Sequence, residues 1–154
     1  MTTTTTGQLR TIADYQFGRG AGDALFPPDE DRMVRHSSSG RPRQIIAEGG
    51  RLVTFGTDGR FTLGLAGGRR LQSALPTPAY RVIVGDESEP FVRDGKNVFA
   101  KFVQQVGDEV RAGDEVLVEH VGGDLIAVGR AELSAAGMQD FETGMAVAVR
   151  DGAE

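Results

Sequence analysis

Apolar and polar residues change rhythm several times along this chain, and each change predicts an element. Between Thr11 and Leu25, Ile12, Tyr15, Ala24 and Leu25 suit one face of a helix that starts near Thr11 or Asp14. Gly18, Gly20 and Gly22 break that helix or turn it, and Pro27-Pro28 ends the element. Two short β-type runs follow, Gln44 to Ala47 and Leu52 to Thr54, joined by Glu48-Gly49-Gly50-Arg51 as a hairpin turn. A third, Phe61 to Leu65, comes after the turn Thr57-Asp58-Gly59. One helix and three antiparallel strands make a small α+β unit. Arg32 to Arg43, rich in serine and glycine, reads as an exposed loop.

Leu75-Pro76-Thr77-Pro78 marks a boundary, because two prolines in four residues stiffen a join. Tyr80 to Val84 alternates weakly and predicts a strand. Phe91 to Val103 then reads as a short glycine-started helix that opens a small barrel. At about 100° per residue from Val98, the residues Phe99, Phe102, Val103 and Val106 fall at about 100°, 40°, 140° and 80°, one apolar arc. Lys101 falls at about −60°, off that arc. Glu115 to Val121 and Leu125 to Arg130 are strands joined by Gly122-Gly123-Asp124. In the first of these, Val116 and Val118 share one face, and Leu117 and Glu119 take the other. Gly113-Asp114 makes a turn in which Asp114 binds local backbone N–H groups. Ser134 to Met138 is a helical turn, and Met145 to Arg150 closes the barrel.

Composition narrows the chemistry. A chain of 154 residues holds one ordinary domain or two small ones, and about 70% of its unfolded surface can be buried without staples. It has no cysteine, which removes disulfides, thiolate metal sites and cysteine nucleophiles and is compatible with a reducing cytoplasm. MTTTTTGQLR has no apolar run and reads as a frayed tail rather than a signal peptide, and no stretch approaches the ~20 apolar residues of a membrane span. The formal net charge is −5, which is not the balance of a typical nucleic-acid binder. Lys96 and Lys101 are the only lysines, and an acidic, lysine-poor chain fits a high-salt cytoplasm. In strong salt, shape, helix-end amides and bidentate arginines count for more than net charge.

Candidate chemistry is sparse. Arg32 to Arg43 carries four arginines and no acid, so the remainder of the chain carries −9. That loop is either a solvated connector or a contact for RNA phosphates through Arg35, Arg41 and Arg43. His36 and His120 are single histidines, read as surface or satisfied residues rather than ligands. Asp86, Glu87 and Glu89 form an acidic turn before Pro90, read as solvated rather than as a cation site. Gly18, Gly20 and Gly22 follow no strand and precede no long helix, so they read as a turn and not as a dinucleotide loop. There is no Walker pattern, nucleophile elbow or repeat, so no catalytic residue, metal site or cofactor is expected.

The order of motifs in the second half resembles the PUA domain, the RNA-binding module of pseudouridine synthases and archaeal tRNA-guanine transglycosylases. The residues that carry the likeness are Pro90-Phe91, Gly95 with the run Asn97 to Val103, Gly113 to Val118, Ala127-Val128-Gly129, and Gly144 before Ala146-Val147. Ala112 stands where the family commonly has proline. The first half more loosely resembles the domain that precedes PUA in archaeosine-pathway enzymes, through DYQFGRGAG, the strand pairs and LAGGRRLQSALPTPAYRV.

The resemblance implies an α+β chain: a tail over 1–10, a helix-on-antiparallel-sheet domain over 11–76, a mixed β pseudo-barrel with short helices over 79–150, and a tail over 151–154. It further implies a non-catalytic cytoplasmic protein that cups the acceptor stem and CCA end of tRNA, or another structured RNA. A link to archaeosine formation through a separately encoded catalytic subunit goes with it, and a module docking on a ribosomal or modification-enzyme subunit is the alternative. The expected RNA groove has Asp94 and Gly95 capping a helix whose first amides, with Arg93, Lys96, Asn97 and Lys101, hold sugar-phosphate. Gly95 is expected to let backbone approach backbone. Val116, Gly129, Arg130 and Arg150 form the opposite wall, with Arg111 nearby.

Overall fold

The computed structural model describes residues 6–154 and divides into two compact units, one through Leu75 and one from Pro76 to Glu154. In the first, α1 (Thr6–Phe17) and α2 (Ala21–Leu25) flank a break at Gly18 and Gly20, both with positive φ. Residues 6–10, expected as a tail, are therefore helical; residues 1–5 lie outside the described residues. The buried stripe of α1 is Leu9, Ala13 and Phe17, at the spacing of one helix face. Tyr15, expected on that face, is 94% exposed. The expected helix started too late, and that shifted its face.

Four strands follow, not three: β1 (Met33–His36), β2 (Pro42–Ala47), β3 (Gly50–Phe55) and β4 (Phe61–Leu63), hydrogen-bonded in that order and all antiparallel. The arginine-rich stretch expected as a loop is a hairpin, β1 to β2, closed by Ser37 N–H on Arg41 O at 2.8 Å. Every residue of β1 is exposed, so the stretch carries no apolar alternation from which to read a strand. At the other edge the Gln16 side chain behaves like a fragment of strand: its amide donates to Phe61 O and accepts from Phe61 N–H, both at 2.8 Å. Helix α3 (Leu65–Ala74) covers the sheet and was not expected.

The second unit is a six-stranded mixed sheet curled into a pseudo-barrel. Its strands are β5 (Arg81–Val84), β6 (Val98–Phe99), β7 (Val103–Val106), β8 (Glu115–His120), β9 (Leu125–Ala131) and β10 (Met145–Gly152). Their order is β6-β10-β9-β8-β5-β7. Only β5 and β8 run parallel. Two short helices, α4 (Glu89–Arg93) and α5 (Ala135–Asp140), and a 3₁₀ turn at Ala100–Phe102 fill the connections. Val82, Val84, Val116, Val118, Ile126 and Val147 line one core. Each such side chain, fully buried, contributes roughly 1.5–3 kcal/mol. Residues 151–152, expected as tail, belong to β10, and Ala153 N–H donates to Ile126 O at 2.8 Å. Among the described residues no helix is long and apolar enough to cross a membrane.

The helix expected over Phe91 to Val103 is absent as such. The helix is α4, which begins beside Pro90 and ends before Gly95. Beyond it the chain is extended: Val98 pairs with Val147 and Phe99 with Met145. Val98 is 1% exposed and Phe99 48%, an alternation of period two. Valines and phenylalanines fit a pleated surface, and over so short a run the two periodicities are hard to separate.

Candidate nucleic-acid interface

Gly95 closes α4 rather than opening a helix. Its N–H donates to Val92 O at 3.0 Å, the Lys96 N–H donates to Phe91 O at 2.9 Å, and Gly95 has φ +92°. This is the Schellman arrangement, in which a left-handed glycine lets the chain turn back onto the last helical carbonyls. The Gly95 and Lys96 amides are therefore already bonded, and the helix end nearby is the negative pole. No protein atom lies within 4 Å of a Cβ built at Gly95, so within the chain only its positive φ calls for glycine. It is Gly129 that needs proximity: a Cβ there would sit 2.3 Å from Ala148 O on the neighbouring strand.

Most of the expected cations have protein partners. Arg93 holds Glu89 at 3.0 Å and Asp124 at 3.3 Å, and donates to Ala153 O at 3.1 Å. Arg150 grips Glu115 with two hydrogen bonds of 2.7 and 2.8 Å. Burial opposes the Arg150 charge, but the hydrogen bonds and charge of Glu115 outweigh it and hold the guanidinium above its ordinary value. Arg130 reaches Glu132 at 3.2 Å and is more open, its side chain 57% exposed. Asn97 Oδ1 accepts from Val149 N–H at 3.0 Å, fastening the 94–97 loop to β10. Val116 is fully buried and touches no solvent, which removes it from any wall an RNA could meet.

Lys96 and Lys101 remain exposed, and among the described residues no carboxylate pairs with either. They sit at different places along β10. Asn97, next to Lys96, is tied to Val149, while Ala100, next to Lys101, bonds Gly144 O. Met145 and Val149 are four strand steps apart, on the order of 13 Å. Lys96 and Lys101 are thus held from separate anchor points on the barrel. Arg111 is exposed as well, and its N–H donates to Asp114 Oδ2 at 2.9 Å, the local bond expected of that turn.

The first unit holds a second set of exposed cations. Arg35 on β1 and Arg43 on β2 face solvent, with no carboxylate on either among the described residues. Arg41 lies 5.8 Å from the Phe55 ring centroid and donates to Gly56 O at 3.1 Å, so it has a structural task. The charge divides sharply. Through Leu75 ten arginines stand against seven carboxylates, +3; from Pro76 seven cations stand against fifteen, −8.

His120, distant in sequence, meets Asp86 and Glu89 of the acidic turn, with ligand-type atoms within 4.8 Å of one another. Gly122 N–H donates to His120 Nδ1 at 3.0 Å, which leaves the ring proton on Nε2, 2.6 Å from Asp86 Oδ1. A nitrogen that donates its proton cannot also ligate a metal. The trio reads as a clasp between the β5–α4 turn and the end of β8.

A cleft of about 730 Å³ lies between the 3₁₀ turn and α5, with Lys101, Met138, Gln139, Phe141 and Glu142 among its lining. Sequence patterning did not point to it, because an exposed phenylalanine after a short helix looks like any other.

Comparison with known proteins agrees with this architecture. Residues 80–153 match the family model of the PUA domain, and residues 7–78 that of the patch-forming domain C2 of tRNA-guanine transglycosylase. Residues 80–153 are thus a PUA domain, preceded by a domain of the C2 type. It is 46% identical over 148 residues to a tRNA-guanine(15) transglycosylase of Thermococcus kodakarensis, covering 95% of this chain and 25% of that protein. For the enzyme of the same name from Methanothermobacter thermautotrophicus the identity is 44% over 146 residues, covering 94% and 22%. The C2–PUA chain thus spans about a quarter of the length of the curated relatives it matches.

Two solved structures share the fold of the PUA chain. One is a hypothetical protein of Pyrococcus horikoshii, at TM-score 0.75 and 20% identity, covering 97% of this chain and 90% of that one. The other is a PUA domain protein of Thermoplasma acidophilum, at TM-score 0.68 and 21% identity, covering 96% and 90%.

Proposed function

We propose that this chain is a non-catalytic, cytoplasmic RNA-binding protein that serves tRNA modification. It binds the acceptor stem and CCA end of tRNA and supports archaeosine formation by a catalytic partner. One observation carries the reading: the C2 and PUA domains together match 94–95% of this chain to transglycosylases named for a tRNA guanine, at 44–46% identity.

Lys96 and Lys101 make the phosphate contacts of the PUA unit. Gly95 and Asn97 shape the loop that presents Lys96, and Arg130 lends a half-free guanidinium. The +3 charge of the first unit, presented through Arg35 and Arg43, supplies the longer-range attraction that the −8 unit cannot. A-form RNA offers shape and 2′-hydroxyls rather than a legible major groove, and this suits a protein with few free cations.

Gel shifts with tRNA at fixed salt test the reading. The Lys96→Ala, Lys101→Ala double variant is expected to bind more weakly, and unchanged affinity counts against the assigned contacts. The high negative charge of the PUA unit favours a second reading, a module docking on a ribosomal or modification-enzyme subunit. Partners that persist in a pull-down after RNase treatment favour that one.

A further inference from the structure

We propose that the cleft between the Ala100–Phe102 turn and α5 takes one unstacked nucleobase of a single-stranded RNA segment. The inference rests on the RNA-binding reading above and adds a subsite to it. The cleft, at about 730 Å³, falls in the range of small-molecule sites, roughly 300–1,000 Å³. Buried Ala100 and Met138 close its base, and Lys101, Gln104, Gln139, Glu142 and Thr143 make most of its wall polar. At its side stands Phe141, a large aromatic left 56% exposed. Gln139 and Glu142, both exposed, bring an amide and a carboxylate to the same cleft. A base edge carries donors and acceptors that such groups can meet.

Charge separates a base from a phosphate as the occupant. The cleft lies in the unit of net charge −8, and Glu142 is part of its wall. A dianionic ligand is repelled there, whereas a base is neutral and stacks on an aromatic face whatever its sequence. Lys101 is the one cation of the lining, its Nζ 5.0 Å from the Phe102 ring centroid. It is placed for the phosphate that joins the captured base to its neighbour. Phe141 is the stacking platform, Gln139 and Glu142 face the base edge, and Lys101 holds the strand.

The test uses the full chain with two RNAs, a blunt hairpin and the same hairpin with a single-stranded 3′ extension carrying 2-aminopurine. Dissociation constants are measured across a salt series, with 2-aminopurine fluorescence reporting stacking. Wild type is expected to bind the extended RNA about 5- to 150-fold more tightly, the span of one stacked base. Phe141→Leu is expected to abolish that advantage and the fluorescence quench while leaving blunt-hairpin affinity and the salt slope unchanged; Phe141→Trp restores both. Lys101→Ala is expected to lower the salt slope by about one. Equal binding of the two RNAs by wild type, or an equal loss on both in Phe141→Leu, overturns the subsite while leaving RNA binding intact. Absence of binding to either RNA by wild type overturns the RNA-binding reading, and the subsite with it.

Discussion

Arg150 and Glu115 are locked together by two hydrogen bonds of 2.7 and 2.8 Å, the carboxylate 4% exposed and the guanidinium 28%. An arginine near the end of the chain that looks available for phosphate is thus a strut between β10 and β8. Arg150→Ala is expected to cost about 2–3 kcal/mol in urea denaturation, less than the 3–5 kcal/mol of a fully buried pair because one partner meets water. Arg150→Lys keeps the charge but loses the fork, so it is expected to recover only part of the loss. If Arg150→Ala leaves stability untouched and weakens RNA binding alone, the strut reading fails.

Two glycines of the PUA unit answer to different physics, and alanine substitutions separate them. Gly95 needs only its positive φ, so Gly95→Ala is expected to cost about 1 kcal/mol. Gly129 needs space, with Ala148 O at 2.3 Å and Val149 Cα at 3.0 Å from a built Cβ. Gly129→Ala must push β9 from β10 and is expected to cost at least ~2 kcal/mol. Thermal or urea unfolding of both variants decides the order.

The arginine hairpin makes a third prediction. Arg35→Ala with Arg43→Ala is expected to leave the melting temperature unchanged and to reduce the salt slope of tRNA binding by about two. Arg41→Ala is expected to do the reverse, destabilising the fold through the lost Phe55 stacking and Gly56 bond. An unchanged slope in the double variant removes the first unit from the RNA contact.

The fourth prediction concerns pH. Glu30 is held below the ordinary glutamate value, first by its hydrogen bonds to Arg70, against the opposing effect of burial, and then by the Arg70 charge and by Arg32. A depressed carboxylate stabilises the fold above its unfolded pKa, about 4.3, and that contribution is lost as pH falls through the folded value. The gap in melting temperature between wild type and Glu30→Gln is therefore expected to be constant near neutrality and to close below about pH 4. A gap that persists there assigns the effect to packing.

Chain patterning was enough for the two-part α+β plan, for four of the six barrel strands (β5, β8, β9 and β10) and for the turn between β8 and β9. Alternation, glycines at turns and the paired prolines are local signals that need no partner to be read. Local signals also misled. The Phe91–Val103 run satisfies a helical arc and a strand alternation alike, and only pairing with Met145 and Val147 selects the strand. The β1 strand exists because β2 lies beside it, although none of its own residues is buried.

Tertiary structure alone decided which cations are available. Arg150 was indistinguishable from Lys96 and Lys101 in one dimension, since its carboxylate partner lies 35 residues away, and Arg93 reaches Asp124 as well as its local partner Glu89. The same holds for the clasp of Asp86 with His120 and for the cleft beside Phe141. Pairing of charges and enclosure of space depend on distance through the fold, and chain order does not carry that distance.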